Sequence, residues 1–168
     1  MNRAKLESRS WLAVIRTYQE CTRRYSQLLA HYELTVPQLD VLSAINKHAP
    51  EATPKAIAEE LVVTRGNITG VLNRLHERGL IETRQHATDG RSFVCELTDA
   101  GRSLFDRARA GARAFISEQL EIFDDSELEL SMSHMQRMEA HLREMDPDAI
   151  AAAESVASYD NNLSGKTP

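Results

Sequence analysis

The chain has 168 residues, 42% of them apolar and 27% charged, with a formal net charge of −5. This length and balance fit one compact domain with helical extensions and exclude a fibrous or disordered chain. No run of about 18 apolar residues exists, which excludes a membrane-spanning helix, and Met1-Asn2-Arg3-Ala4-Lys5 leads into polar sequence without the apolar stretch of a secretory signal. Two distant cysteines, Cys21 and Cys95, fit a reducing compartment better than a disulfide framework, so the expected location is cytoplasmic.

The acidity is unevenly spread. Residues 1–113 hold 17 Lys and Arg against 13 Asp and Glu, whereas residues 114–168 hold 3 against 12. Basic side chains therefore concentrate upstream, which permits a nucleic-acid face there without proving one.

In chain order, Lys5 to about Tyr32 reads as a long helix. Trp11, Ile15, Tyr18, Thr22, Tyr25, Leu29 and Tyr32 recur at steps of four and three, a seam that wants another helix against it. Pro37 suits the first turn of a second helix with Leu39, Val41, Leu42 and Ile45 inward, ended by His48-Ala49-Pro50. Thr53-Pro54 opens a short helix to about Leu61. Thr64 has cap chemistry for a helix to about Arg78, and Gly79 stops it. Leu80–Gln85 and Phe93–Leu97 read as strands around the turn formers Ala87-Thr88-Asp89-Gly90-Arg91, a β-hairpin. A further helix starts near Thr98-Asp99-Ala100-Gly101 and runs to about Phe123. Ser126 can cap a last helix carrying Leu128, Met132, Met135, Met138, Leu142 and Met145. From residue 147 the chain turns small and polar and reads as a flexible tail with room for one alanine-rich turn.

Residues 54–73 carry the chemistry. Ile57, Leu61, Val63, Ile68 and Val71 supply apolar contacts for two crossing helices, and Ala58 the small residue where backbones come closest: a helix-turn-helix. Val62 stands in the turn where glycine is common, which predicts a turn of altered shape. In the second helix Ile68, Val71, Leu72 and Leu75 form an inward stripe. The other side presents Arg65, Gly66, Asn67, Thr69, Gly70 and Asn73 after Thr64, with Arg74 and Arg78 flanking.

Each mid-helix glycine costs about 1 kcal/mol against alanine. Two on one exposed side suit the close approach of something large, such as the floor of a major groove. Arg65 suits guanine O6/N7, Asn67 and Asn73 suit adenine N6/N7, and Arg74 and Arg78 suit phosphates. The alternative is a solvated polar face. The hairpin favours DNA: Arg91 at its tip suits a narrow minor groove, Asp89 can aim it, and Arg84 lies on the incoming strand.

Leu34 to Leu104 resembles the MarR family of bacterial regulators. The matching motifs are Leu34-Thr35 with Pro37-Gln38-Leu39-Asp40-Val41-Leu42, Val63-Thr64, Leu75-His76-Glu77-Arg78-Gly79-Leu80-Ile81, Asp89-Gly90-Arg91 and Leu97-Thr98-Asp99-Ala100-Gly101. The resemblance implies a mainly α fold with a small β-hairpin wing: a winged helix-turn-helix over 34–100, a helical dimerisation region over 1–33 and 101–146, and the tail over 147–168. It implies a homodimer, interlocked through the first and the last two helices, on pseudo-palindromic double-stranded DNA, with Arg91 as wing arginine and Asp89 its partner. It further implies a repressor released by a small aromatic or phenolic effector bound between the dimer arms and the DNA-binding lobe.

Trp11, Arg16, Tyr18, Tyr25 and His31 are candidates to line such an effector site, although aromatics at seam spacing are more often core. Cys21, beside Arg23 and Arg24, offers an alternative redox-responsive reading, against the plainer one of a structural cysteine. Cys95 reads as half-buried and inert. The six histidines show no zinc-ligand spacing, no nucleophile or phosphate-loop motif is visible, and no cofactor is expected, so the chain does not read as an enzyme. A winged-helix module that binds protein instead of DNA is the remaining alternative.

Overall fold

A computed structural model describes residues 2–86 and 93–152, apart from the side chain of Arg65. These residues form a hairpin, six helices and a further helical turn at 147–152: α1 (Arg3–Ala30), α2 (Val36–His48), α3 (Pro54–Glu60), α4 (Arg65–Glu77), β1 (Ile81–Gln85), β2 (Phe93–Leu97), α5 (Asp99–Leu120) and α6 (Asp125–Glu144) are the labelled elements. The chain divides into two compact units, Met1–Gln119 and Leu120–Pro168. Among the described residues, no helix is long and apolar enough to cross a membrane.

The core of the first unit lies around α2, α3, α4 and the hairpin. Leu39, Val41, Leu42 and Ile45 of α2 are buried against Ile57 and Ala58 of α3 and against Ile68, Val71, Leu72 and Leu75 of α4. Burial of each such aliphatic side chain stabilises the fold by about 1.5–3 kcal/mol. Helix α5 closes the cluster with Leu104, Phe105, Ala108 and Ala112, at helical spacing on one face. The two strands pair antiparallel, with Ile81 opposite Leu97 and Gln85 opposite Phe93. The N–H of Cys95 donates to the Ala52 carbonyl (2.9 Å), tying the hairpin to the α2–α3 connection.

Helix starts follow the cap chemistry with two corrections. Thr53 accepts from the Ala56 N–H through its hydroxyl, as its sequence predicts. Thr64 holds the N-cap position of α4 but makes no side-chain cap bond. Asp124, not Ser126, caps α6: its carboxylate accepts from the Glu127 N–H (2.9 Å), and the Glu127 carboxylate accepts from the Asp124 N–H (3.0 Å). The Ser126 hydroxyl donates to the same Asp124 carboxylate, and these hydrogen bonds hold the Asp124 carboxyl below the ordinary aspartate range. A reciprocal pair three residues apart outcompetes a lone hydroxyl.

Three helices end alike. The N–H of Leu34, Val63 and Leu80 each reaches back to a carbonyl five residues earlier, on Leu29, Ala58 and Leu75. The residue inside each closing turn is left-handed: Glu33 (φ 54°), Val62 (φ 54°) and Gly79 (φ 66°). Only Gly79 adopts that conformation without cost; other L-residues pay about 1–2 kcal/mol. The altered turn that Val62 predicts is therefore the glycine-type turn itself, built under strain.

Other differences from expectation are local. Leu80 belongs to the α4 closing turn and not to the first strand. Val63, expected in the helix crossing, is 42% exposed. The tail's room for one alanine-rich turn is taken up at residues 147–152, which are helical, started by Asp146 whose carboxylate accepts from the N–H groups of Asp148 and Ala149. The rest of the tail lies outside the described residues.

Candidate nucleic-acid interface

Helix α4 is split lengthwise as its sequence dictates. Ile68, Val71, Leu72 and Leu75 are buried, while Gly66, Asn67, Thr69, Gly70, Asn73 and Arg74 are all exposed. Arg65 opens the helix on the same end. The glycines meet no internal need: a β-carbon on Gly66 would find only the Thr64 hydroxyl at 3.9 Å, and one on Gly70 only the tip of Arg74 at 3.7 Å. Among the described residues, nothing requires either glycine to be small.

The electrostatics favour an anion along this face. No acidic residue stands in the first turn of α4, and Arg74 and His76 stand in the last. The N–H groups of Asn67 and Ile68 donate to the Thr64 carbonyl (3.1 and 3.4 Å), and with the Thr64 hydroxyl disengaged those of Arg65 and Gly66 stand at the positive end of the helix. The Arg74 Nε donates back to the Gly70 carbonyl (3.0 Å), which lays its guanidinium along the exposed side.

Two of the arginines expected at the DNA also bond within the protein. The Arg78 guanidinium donates to the Glu33 carbonyl (2.6 Å), tying the end of α4 to the strained α1–α2 turn. Arg84 donates to the Pro50 carbonyl (2.9 Å) and pairs with Glu96 on the facing strand, clamping the hairpin to the α2–α3 connection. Their sequence neighbourhoods resemble those of phosphate contacts, and only the packing reveals nearer acceptors. Asp89 and Arg91 fall outside the described residues.

The candidate effector residues do not converge. Trp11 and Tyr18 are 64% and 68% exposed, and Arg16 is exposed on the same helix. Trp11 borders an open depression with Glu7, Ser8 and Leu12. Tyr25 is half-buried with its ring 5.4 Å from that of Phe115, and burial, then the Asp40 charge, raise its phenol pKa. His31 lines a separate cavity of 380 Å³ with Arg78 and Arg107. The α1 stripe is thus divided: Trp11 and Tyr18 are exposed, whereas Leu29 is buried and Tyr25 and Tyr32 pack against the core.

The cysteines differ sharply. Cys95 is fully buried, beyond the half-burial expected, and burial pushes its thiol up to about 11. Cys21 is half-buried, and its thiol donates to the Gln119 side-chain carbonyl (3.2 Å).

The feature that sequence reasoning undervalued is the turn between α3 and α4. Val62 is 89% exposed, and it borders a concavity shared with Lys55, Val63, Thr64 and Asn67. The departure from glycine was its one signal.

Comparison with known proteins places the chain among DNA-binding regulators. The profile of the MarR family matches residues 32–92. An uncharacterized HTH-type transcriptional regulator of Bacillus cereus is 33% identical over 115 residues, covering 68% of this chain and 74% of that protein. The organic hydroperoxide resistance transcriptional regulator of Bacillus subtilis is 31% identical over 104 residues, covering 62% of this chain and 70% of that one. The YusO protein of Bacillus subtilis superposes with a TM-score of 0.63 at 25% identity, over 84% of this chain and 99% of that chain. S. aureus MepR, solved as a DNA complex, shares the fold with a TM-score of 0.71 at 21% identity, over 79% of this chain and 96% of that one. The chain belongs to the MarR family of winged helix-turn-helix, DNA-binding transcription regulators, a family without enzymatic activity.

Proposed function

We propose that this protein is a homodimeric cytoplasmic repressor that reads pseudo-palindromic duplex DNA and leaves it when a small aromatic or phenolic effector binds. The observation that carries the reading is the exposed glycine-and-amide side of α4, whose two glycines have no reason among the described residues to be small. Arg65, Asn67, Thr69 and Asn73 address base edges there; Thr64 and Arg74 address phosphates, and Gly66 and Gly70 let the groove close on the backbone. Arg91, aimed by Asp89, enters the flanking minor groove. Arg78 and Arg84, both exposed, flank this surface and are held by the bonds described above.

A second copy of the chain suits the uncovered apolar residues at both ends. Trp11 and Tyr18 on α1 and Leu130, Met132, Met135 and Leu142 on α6 are exposed, and α6 buries no residue. Amphipathic helices without a covered face gain most of their stability from a partner. An effector displaces DNA only if it binds the DNA-incompatible spacing of the two lobes more tightly than the compatible one.

The test is selection of bound sites from random duplex DNA with the full chain, followed by binding at several salt concentrations. The reading expects an inverted-repeat consensus and a steep fall of affinity with salt. Failure to enrich any sequence would leave the protein-binding alternative.

A further inference from the structure

We infer that Val62 is a specificity-determining residue: its isopropyl group, held outward in the turn before α4, packs on the 5-methyl group of a thymine in the major groove. The inference rests on the DNA-binding reading and deepens it at a residue outside the polar face of the recognition helix.

Three independent observations meet at this position. Val62 is left-handed (φ 54°), a conformation that a β-branched side chain resists more than most. The turn itself does not need the side chain. It is closed by backbone bonds from the Val62 N–H to the Glu59 carbonyl (3.3 Å) and from the Val63 N–H to the Ala58 carbonyl (3.1 Å), which glycine would make equally well. Nor does the core need it, since the residue is 89% exposed. A strained, exposed, branched apolar group contributes nothing to the described chain and is costly to keep.

Its surroundings name the occupant. Val62 and the half-exposed Val63 border a concavity of 630 Å³ that also takes in Lys55, Thr64 and Asn67. Asn67 belongs to the face assigned to base edges, so the concavity continues that interface. The Glu59 carboxylate on its rim is paired with Lys55 at 3.7 Å, which leaves a neutral rim beside an apolar patch. In the major groove the one apolar mark on a base edge is the thymine methyl, and aliphatic side chains read it by contact.

The experiment is a cycle between protein and base. In the tightest selected duplex, each thymine is replaced in turn by deoxyuridine, which removes the 5-methyl group alone. Affinity is measured for the wild-type chain, Val62→Gly and Val62→Ala. At one thymine position per half-site, wild type loses about fourfold on methyl removal, the factor for one buried methyl-sized group. Both variants lose nothing there and bind the thymine duplex as wild type binds the deoxyuridine one. Identical deoxyuridine profiles for wild type and variants, with all three bound to DNA, overturn the inference while leaving the DNA-binding reading intact. Absence of any selected duplex overturns both. A general weakening by a looser turn is the same at every position, so it cancels in the cycle.

Discussion

Gly101 stands directly on the Leu80 carbonyl: a β-carbon built on Gly101 would lie 1.8 Å from that oxygen and 2.8 Å from its carbon. The contact joins the start of α5 to the closing turn of α4. Thr98 locks the same junction, its hydroxyl donating to the Gly79 carbonyl (2.7 Å) and accepting from the Gly101 N–H (3.0 Å). Because the opposing atoms are backbone, they cannot swing aside. Gly101→Ala is expected to destabilise the protein by about 3 kcal/mol or more, read as a lowered urea midpoint. A midpoint equal to wild type would show that α5 can slide away at no cost.

Gly66→Ala and Gly70→Ala should separate stability from function. Both sites have open space for a methyl group, but only Gly70 lies in the helix interior, where alanine gains about 1 kcal/mol over glycine; Gly66 stands in the first turn. Both variants should bind selected DNA more weakly, and Gly70→Ala should also melt about 2–4 °C higher. A variant that gains stability and keeps full affinity would remove close backbone approach from the mechanism.

Val62→Gly relieves the strained turn. The gain of about 1–2 kcal/mol from the left-handed conformation is partly offset by about 0.4–1 kcal/mol of added freedom in the unfolded chain. The expected net effect is a rise in stability of about 0.5–1 kcal/mol by denaturant unfolding. A loss of stability would mean that the exposed isopropyl group packs on something within the protein.

Arg74 and Arg78 should respond differently although they lie one turn apart. Arg74→Ala is expected to lower the slope of log affinity against log salt by about one unit, the signature of one lost phosphate contact. Arg78→Ala loses its bond to the Glu33 carbonyl and should lower stability by about 1 kcal/mol, since the partly exposed pair is screened by solvent. Unchanged stability with a changed salt slope would return Arg78 to the DNA face.

The thiols make a chemical check. Cys95, buried and with its pKa pushed up to about 11, should resist alkylation at pH 8 until the protein is unfolded. The sign for stability follows from the raised pKa. The fold favours the thiol, so stability is unaffected below the ordinary thiol range and falls as pH rises above it. Mass spectrometry of briefly alkylated native protein should find the label on Cys21, and label on Cys95 would show that the hairpin opens.

Periodicity and cap chemistry determined much of this protein before any coordinates. The stripes of α2 and α4, the cap at Thr53, the stop at Gly79 and the two strands are local properties, written in neighbouring residues, and they stand where the spacing puts them. The polar, glycine-bearing side of α4 was legible for the same reason, because burying one stripe of a helix exposes the opposite one. What the sequence left open depended on distant partners. The bonds of Arg78 and Arg84 to Glu33, Pro50 and Glu96 reach across 45, 34 and 12 residues and have no local signal. Trp11 and Tyr18 belong to the α1 stripe, and only the packed chain shows these two to be uncovered. Val62 is a local case, marked in sequence only by standing where glycine is common; closure of the α3 end onto Ala58 holds it left-handed, and it is exposed. Helical periodicity is a short-range rule, whereas an acceptor or a cover is fixed only when remote segments meet.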